Sequence, residues 1–478
     1  MLKSFSLLFA GNIALAIFNL ARNILLARLL PVEEFGIATT FNILLTAMTM
    51  VFGLGLGQFL IQAKDGDAAR FQGALQTIQI GMGVVVGGVM FLCAGLYADL
   101  MTVPEVTWGF QVMALLALSH GLFHFDIYRL QREMHFLPLV LVTTAGVVIS
   151  TLAVWPLYQI FGDYRVMLYT LVLQQLIAVA ISHLMARRPY RLAWDRDVMR
   201  AALLFGAPLL INGLFLFGVM NGERLIVANR FGLEELAWFS VGFMLTAMPV
   251  NLLLKTLQSF FLPVLSRHRD KPVAFGSAAI TTCEATLLAG LALALGFATL
   301  GPAVIMLLYG EKYLPAVGIV VLLAVMQGLR TAHGGPVVAA LARARSELAL
   351  YITLTRFAFI PLALALVVYG EISILTLVTV GIVGEASALA LALTMMRLRL
   401  RVPLGPLVPP LGVAALVLAT IVWQTFTRPA VGDLWLGLDP VRLLPAVFLA
   451  ILAPLAFRNI RRELVERIKT ARRTPRRP

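Results

Sequence analysis

Residues 222–270 read GERLIVANRFGLEELAWFSVGFMLTAMPVNLLLKTLQSFFLPVLSRHRD, and this stretch has a counterpart near the N-terminus. Residues 22–65 read RNILLARLLPVEEFGIATTFNILLTAMTMVFGLGLGQFLIQAKD, with the same order of apolar helix end, acidic pair, second apolar helix and charged stop. Glu33 and Glu34 answer Glu234 and Glu235, while Leu45, Thr46, Ala47 and Met48 recur as Leu245, Thr246, Ala247 and Met248. The chain is therefore built from two related halves. For matching segments to run in the same direction, each half must cross a bilayer an even number of times. Parallel repeats of this kind are related by an axis along the membrane normal, and transporters so built hold substrate between the repeats.

Of 478 residues 60% are hydrophobic and 13% charged, a balance that makes lipid the solvent for most of the surface. The apolar runs are mostly about 20 residues long, the length of a spanning helix, and not the short alternating segments of a barrel. Candidate spans in the first half cover residues 4–28, 36–63, 73–97, 106–128, 137–161 and 163–186. The second half gives 200–228, 236–264, 275–300, 315–342, 347–369 and 372–396, and two more follow at 406–426 and 440–457. The expected fold is an all-α polytopic membrane protein of about fourteen transmembrane helices. Two parallel six-helix repeats surround a central cavity, with two additional C-terminal helices. The expected domains are residues 1–190, 191–402, 403–458 and a basic cytoplasmic tail, 459–478.

The formal charge of +14 is spread over span ends instead of forming one basic domain, so it indicates membrane orientation and not nucleic acid. With both termini cytoplasmic, the inside connections carry Lys64 and Arg70, Arg129 and Arg132, Arg187, Arg188, Arg191, Arg196 and Arg200, Arg267, Arg269 and Lys271, Arg343 and Arg345, and Arg397, Arg399 and Arg401. The outside turns carry Glu33, Glu34, Asp99, Glu105, Glu234, Glu235, Glu371, Asp433 and Asp439, which satisfies the positive-inside bias. The stretch from Arg458 to Pro478 sets nine Lys or Arg against Glu463 and Glu466, a composition suited to an anionic leaflet. The first apolar run lacks a cleavage signature and reads as a retained span. Cys93 and Cys283 have no CxxC spacing, so neither a metal site nor a disulfide framework is indicated.

Five cations fall inside or near the ends of spans: Arg22, Arg224, Lys255, Arg330 and Arg356. A cation at a helix centre costs about 2.5–3.5 kcal/mol even on the lenient insertion scale, so several together point to a wet or paired environment. They are the candidates for binding a substrate diphosphate, because fixed cations solvate phosphate oxygens and the arginine fork matches them. Arg22 and Arg224 lie toward the outer ends of their spans, Arg330 near the middle, and Lys255 and Arg356 toward the inner half. Snorkelling to the interface is the competing role for Arg22 and Arg224, and inner-end anchoring for Arg356. Asn12, Asn19 and Asn23 share one helical face, as do Asn251, Lys255 and Gln258, and these stripes are the cavity-lining candidates. Glu223, Glu284 and Glu385 are the ion-coupling candidates, with pairing to a span cation as the alternative. His120 and His124 share a face but lack a third ligand for a metal, and His333 reads as a hydrogen-bonded packing residue. No cofactor motif is present, and a Walker motif is absent.

ARLLPVEEFG at residues 27–36, GLGLGQFLIQ at 53–62, the stretch from Glu223 through LPVLSR, and LLYGEKYLPA at 307–316 followed by ALARARSELAL together resemble a known pattern. It is that of the polysaccharide biosynthesis or oligosaccharide flippase family (Wzx-like) of the multidrug/oligosaccharidyl-lipid/polysaccharide exporter superfamily. The resemblance implies transport of a polyprenyl-diphosphate-linked oligosaccharide from the inner to the outer leaflet of a bacterial plasma membrane, alongside other polysaccharide assembly proteins. It also implies cavity positions for Arg22 and Lys255, which match cations on the first and eighth spans of lipid II flippases. Those proteins carry an Arg-Asp pair where this chain has Arg22-Asn23, and Glu223 stands where the family often has aspartate. A cation-coupled drug exporter of the same superfamily is the alternative, and a membrane-embedded glycan polymerase or ligase a more distant one. No connection is long enough to present the catalytic loop that such an enzyme needs.

Overall fold

The computed structural model describes residues 2–345, 347–427 and 443–462. The outer acids Asp433 and Asp439 and the basic tail beyond Arg462 lie outside the described residues. Packing divides the chain into two compact units, Met1–Ala237 and Trp238–Pro478. The first holds α1 (Leu2–Leu29), α2 (Val32–Val51), α3 (Leu56–Gln62), α4 (Ala69–Leu92), α5 (Ala94–Leu100), α6 (Thr107–Gly121), α7 (Asp126–Arg132), α8 (Leu137–Leu152), α9 (Val154–Phe161), α10 (Arg165–Met185) and α11 (Arg196–Arg230). Helix α12 (Leu233–Arg267) straddles the division. The second unit continues with α13 (Pro272–Leu308), α14 (Val317–Ala342), α15 (Glu347–Gly370), α16 (Ile374–Leu400), α17 (Val408–Thr427) and α18 (Leu444–Ala456).

Among the described residues, eleven helices are long and apolar enough to cross a membrane, and two bent pairs raise the number to thirteen. The shorter apolar helix α18 occupies the fourteenth span expected from the sequence. The side chains turned outward confirm what surrounds them: Leu92 is 84% exposed, Leu184 76% and Ile160 71%, which only lipid accommodates at that density. The spatial division falls later than the sequence boundary at residue 190, since α11 packs with the first unit. At its C-terminal end Asn229 Nδ2 donates to the Leu100 carbonyl at 2.9 Å, and Thr102 Oγ1 donates to the Ala228 carbonyl at 3.3 Å.

Breaks in the first unit have local causes. Between α2 and α3 the chain turns through Gly55 at φ +69°, a conformation that a side chain disfavours. The bend of 43° between α8 and α9 follows from Pro156, whose ring crowds the Leu152 carbonyl and supplies no N–H to it. Helices α6 and α7 meet at 51°. Of the polar groups freed there, the His124 N–H donates to Ser182 Oγ at 3.1 Å and the Asp126 N–H to His124 Nδ1 at 3.1 Å, while the Asp126 carboxylate accepts from the backbone N–H of Arg187 at 2.7 Å and of Arg188 at 3.2 Å and pairs with Arg129 Nε at 2.5 Å.

The Arg132 guanidinium closes the C-terminal end of α3. It donates to the carbonyls of Leu60 and Ile61, each at 3.2 Å, of Lys64 at 3.3 Å, and of Ala63. Carbonyls at a helix end have no partner within the helix, and a cation there also opposes the helix dipole. Arg132→Ala is expected to cost about 1–2 kcal/mol. Hydrogen exchange should accelerate over residues 56–66 while α4 stays protected.

The second unit is centred on α14, which is buried along nearly its whole length. It crosses α13 backbone to backbone: a Cβ on Gly290 would lie 2.2 Å from the Gly328 carbonyl oxygen. Thr286 Oγ1 adds a hydrogen bond to the Ala332 carbonyl at 3.2 Å. This close seat fixes the rotation of α14 and hence where its charged residues point.

Candidate functional site

Fixing α14 in this way presents Arg330 and His333, one turn apart, to α16. There they meet Glu385, which is 3% exposed. Arg330 donates to Glu385 Oε1 from Nε at 3.1 Å and from Nη2 at 2.8 Å. From α15, Arg356 Nε donates to the same oxygen at 2.8 Å. His333 Nε2 lies 3.0 Å from the other oxygen, Oε2. Three N–H donors from two guanidiniums thus converge on one carboxylate oxygen within the membrane span. Charge-assisted contacts of this kind are about twice as strong as neutral ones, and three helices share the single anion.

The first unit holds a cation in a different setting. Arg22 on α1 is 3% exposed. It donates to Asn19 Oδ1 at 3.1 Å, to Ser150 Oγ on α8 at 3.2 Å and to Gln174 Oε1 on α10. All three acceptors are neutral, and no carboxylate pairs with Arg22 among the described residues. Its Nε is buried with no hydrogen-bond partner. Asn19 and Asn23 are tied back to their own helix, through the carbonyls of Leu15 at 2.9 Å and of Asn19 at 2.8 Å, while Asn12 is exposed.

The remaining candidates are dispersed. Arg224 Nη1 lies 3.4 Å from Asn221 Oδ1 on α11, beside the buried Glu223. Lys255 stands on an exposed stripe of α12 with Asn251 and Gln258, both exposed. Glu284 on α13 is fully buried and accepts from Asn459 Nδ2 at 2.8 Å and from the Ile460 backbone N–H at 2.9 Å. The sequence reading separated Arg330 and Arg356, as substrate cations, from Glu385, as an ion-coupling acid. The structure joins them in one ion-paired cluster, with His333 as a fourth member. Reading the sequence also missed Ser150, Gln174 and Asn459, ordinary polar residues whose only signal was their position within apolar spans. Among the described residues no group of three or more His, Cys, Asp or Glu is placed to hold a metal ion.

A family model described as polysaccharide biosynthesis protein matches residues 25–318. The teichuronic acid biosynthesis protein TuaB of Bacillus subtilis is 22% identical over 347 residues, covering 71% of this chain and 70% of its own. The lipopolysaccharide biosynthesis protein WzxC of Escherichia coli is 21% identical over 342 residues, covering 69% and 68%. Among solved structures, the lipid II flippase MurJ in an inward closed conformation superposes with a TM-score of 0.68 at 12% identity, over 97% of this chain and 100% of that one. An inward-facing MATE-family multidrug transporter of the MOP superfamily gives 0.65 at 16% identity, over 81% and 94%. These structural likenesses establish the fold.

Proposed function

The chain belongs to the polysaccharide biosynthesis protein family, and from that membership we propose that it is a Wzx-like flippase of the MOP exporter superfamily, and what it carries and how. It moves a polyprenyl-diphosphate-linked oligosaccharide from the inner to the outer leaflet of a bacterial plasma membrane, by alternating access between its two six-span halves. It is a multi-pass membrane transporter, not an enzyme. Both termini are cytoplasmic, and other polysaccharide assembly proteins supply and take up the glycan.

The observation that carries this reading is Arg22. A buried guanidinium held only by neutral acceptors, with Nε left over, is costly in lipid. It gains most from an anion that comes and goes, and a diphosphate is such an anion. Lys255, on the exposed polar stripe of α12, supplies a second cation on a long flexible stem. In the second unit Glu385 holds the place of a phosphate oxygen between Arg330 and Arg356, so the substrate takes those guanidiniums by exchange and not by desolvating them afresh. The drug-exporter alternative is less well supported, because the buried acids Glu284 and Glu385 are both engaged by donors.

Arg22→Gln tests the proposal, since it keeps a hydrogen-bonding side chain and removes the charge. Losing one charged hydrogen-bond set, worth about 1.5–3 kcal/mol, predicts a fall of about tenfold to a hundredfold in transport. The assay is translocation of a labelled lipid-linked oligosaccharide in vesicles, with membrane insertion unchanged. Transport at the wild-type rate would refute a substrate role for Arg22.

A further inference from the structure

Helix α18 ends at Ala456, and Phe457 at φ −84°, ψ 63° takes the backbone off the helical path. The chain becomes helical again from Arg458. Two sets of contacts hold this joint. Glu284 reaches across from α13 and accepts from Asn459 Nδ2 and from the Ile460 backbone N–H, one of the donors that a helix start leaves without an internal partner. From the other side, Arg458 Nε donates to the Leu455 carbonyl at 3.3 Å and Arg461 Nη1 to the Pro454 carbonyl at 3.2 Å. A fully buried carboxylate is thus committed to fixing where a run of arginines begins.

Beside this joint lies an apolar groove of about 510 Å³ between α13 and α18. Leu288, Leu295, Leu449, Ala453 and Phe457 line it, and Arg461 stands at the end nearest the joint. Arg458, Arg461 and Arg462 are all exposed. A guanidinium at one end of an apolar trough, with two more exposed arginines on the same short helical segment, matches one kind of molecule: an anionic head on a hydrocarbon chain. We propose that the groove binds an anionic phospholipid of the inner leaflet, with an acyl chain between α13 and α18 and the phosphate on Arg461. Glu284 is the positioning residue that keeps Arg461 at the groove's end. The leaflet assignment rests on the orientation proposed above, whereas the binding itself does not depend on transport.

The site explains why Glu284 is buried on α13 with no cation as its partner among the described residues: its role is to hold the joint, not to neutralise a charge. It also commits the groove to a bulk lipid instead of the transported molecule. The glycerol-linked phosphate of a phospholipid enters from the leaflet that surrounds the groove, where the cations are already exposed.

The test is lipid binding by the full-length protein, purified in detergent and measured by native mass spectrometry. Phosphatidylglycerol and phosphatidylethanolamine are offered at equal concentration. The wild type should retain phosphatidylglycerol in clear preference, and Arg461→Ala should lower that retention about fivefold. Glu284→Ala should lower it similarly by releasing the joint. Leu449→Trp fills the groove while leaving every arginine in place, and it should abolish retention. Thermal unfolding of each variant identifies any that fails to fold. Equal retention of the two phospholipids by the wild type would overturn the proposal, as would unchanged retention in a folded Leu449→Trp variant. Displacement of phosphatidylglycerol by farnesyl diphosphate, added as a substrate-like probe, would assign the groove to the transported molecule and also overturn it. A failure of the flippase reading would appear only in the vesicle transport assay.

Discussion

Replacing Glu385 with alanine should destabilise the second unit by about 3–5 kcal/mol, the loss expected when one member of a buried ion pair is removed. The reason lies in what remains: Arg330 and Arg356, which now share one oxygen, would face each other in a low-dielectric interior without their anion. His333 would also lose its partner at Oε2. Glu385→Gln should cost less, since an amide oxygen still accepts two or three of these N–H groups. Replacing all four residues together with apolar side chains of similar volume should cost less still, because no buried charge would remain unsatisfied. Thermal unfolding of the purified protein, followed by tryptophan fluorescence, ranks the three variants. An alanine variant as stable as wild type would mean that water reaches the cluster freely.

The second large effect is expected at Gly290. Alanine is favoured over glycine in a helix by about 1 kcal/mol, so the sign depends on what the added methyl meets. At Gly290 it meets the Gly328 carbonyl oxygen at 2.2 Å, a backbone atom that cannot swing aside. The two helices must separate, and Thr286 then loses its reach to the Ala332 carbonyl. Overpacking of a close-fitting contact costs about 1–3 kcal/mol and sometimes more, which outweighs the helical gain. Gly290→Ala should therefore lower the unfolding temperature and loosen the seat of Arg330. Gly88→Ala is the control: nothing lies within 4 Å of a Cβ there, so the propensity gain acts alone and stability should hold or rise. Opposite signs at the two glycines would confirm that backbone contact, not glycine content, sets the cost.

Much of this architecture could be read from the residues. Apolar runs of spanning length, charged stops and the repeated acidic turns gave the spans, and α18 appeared where the fourteenth was expected. Pro156 was visible in the sequence, yet nothing local distinguishes it from Pro249 or Pro336, which lie inside continuous helices. What separates them is the neighbouring packing. The charged cluster was legible in part, since three ionisable residues in consecutive apolar helices have to be satisfied somewhere. Periodicity gives each residue's angle on its own helix, but it does not give the rotation of one helix against the next. That rotation, set for α14 by the Gly290 crossing, decides that Arg330 meets Glu385. Arg22 was visible as a charge in a span, but two of its three neutral partners come from α8 and α10, more than a hundred residues away.

Among the described residues, the interruptions in the second to fifth spans of the first unit have no equivalents in the matching helices of the second. The second span is split between α2 and α3, the third at Cys93 between α4 and α5, the fourth between α6 and α7, and the fifth between α8 and α9. Their counterparts after the duplication, α12 to α15, each run as one continuous rod. Twin ancestry has thus produced an articulated limb and a stiff strut. Elbow-like flexing is thereby confined to the N-terminal copy, where the breaks lie, while the matching rods of the C-terminal copy offer no joint at which to bend.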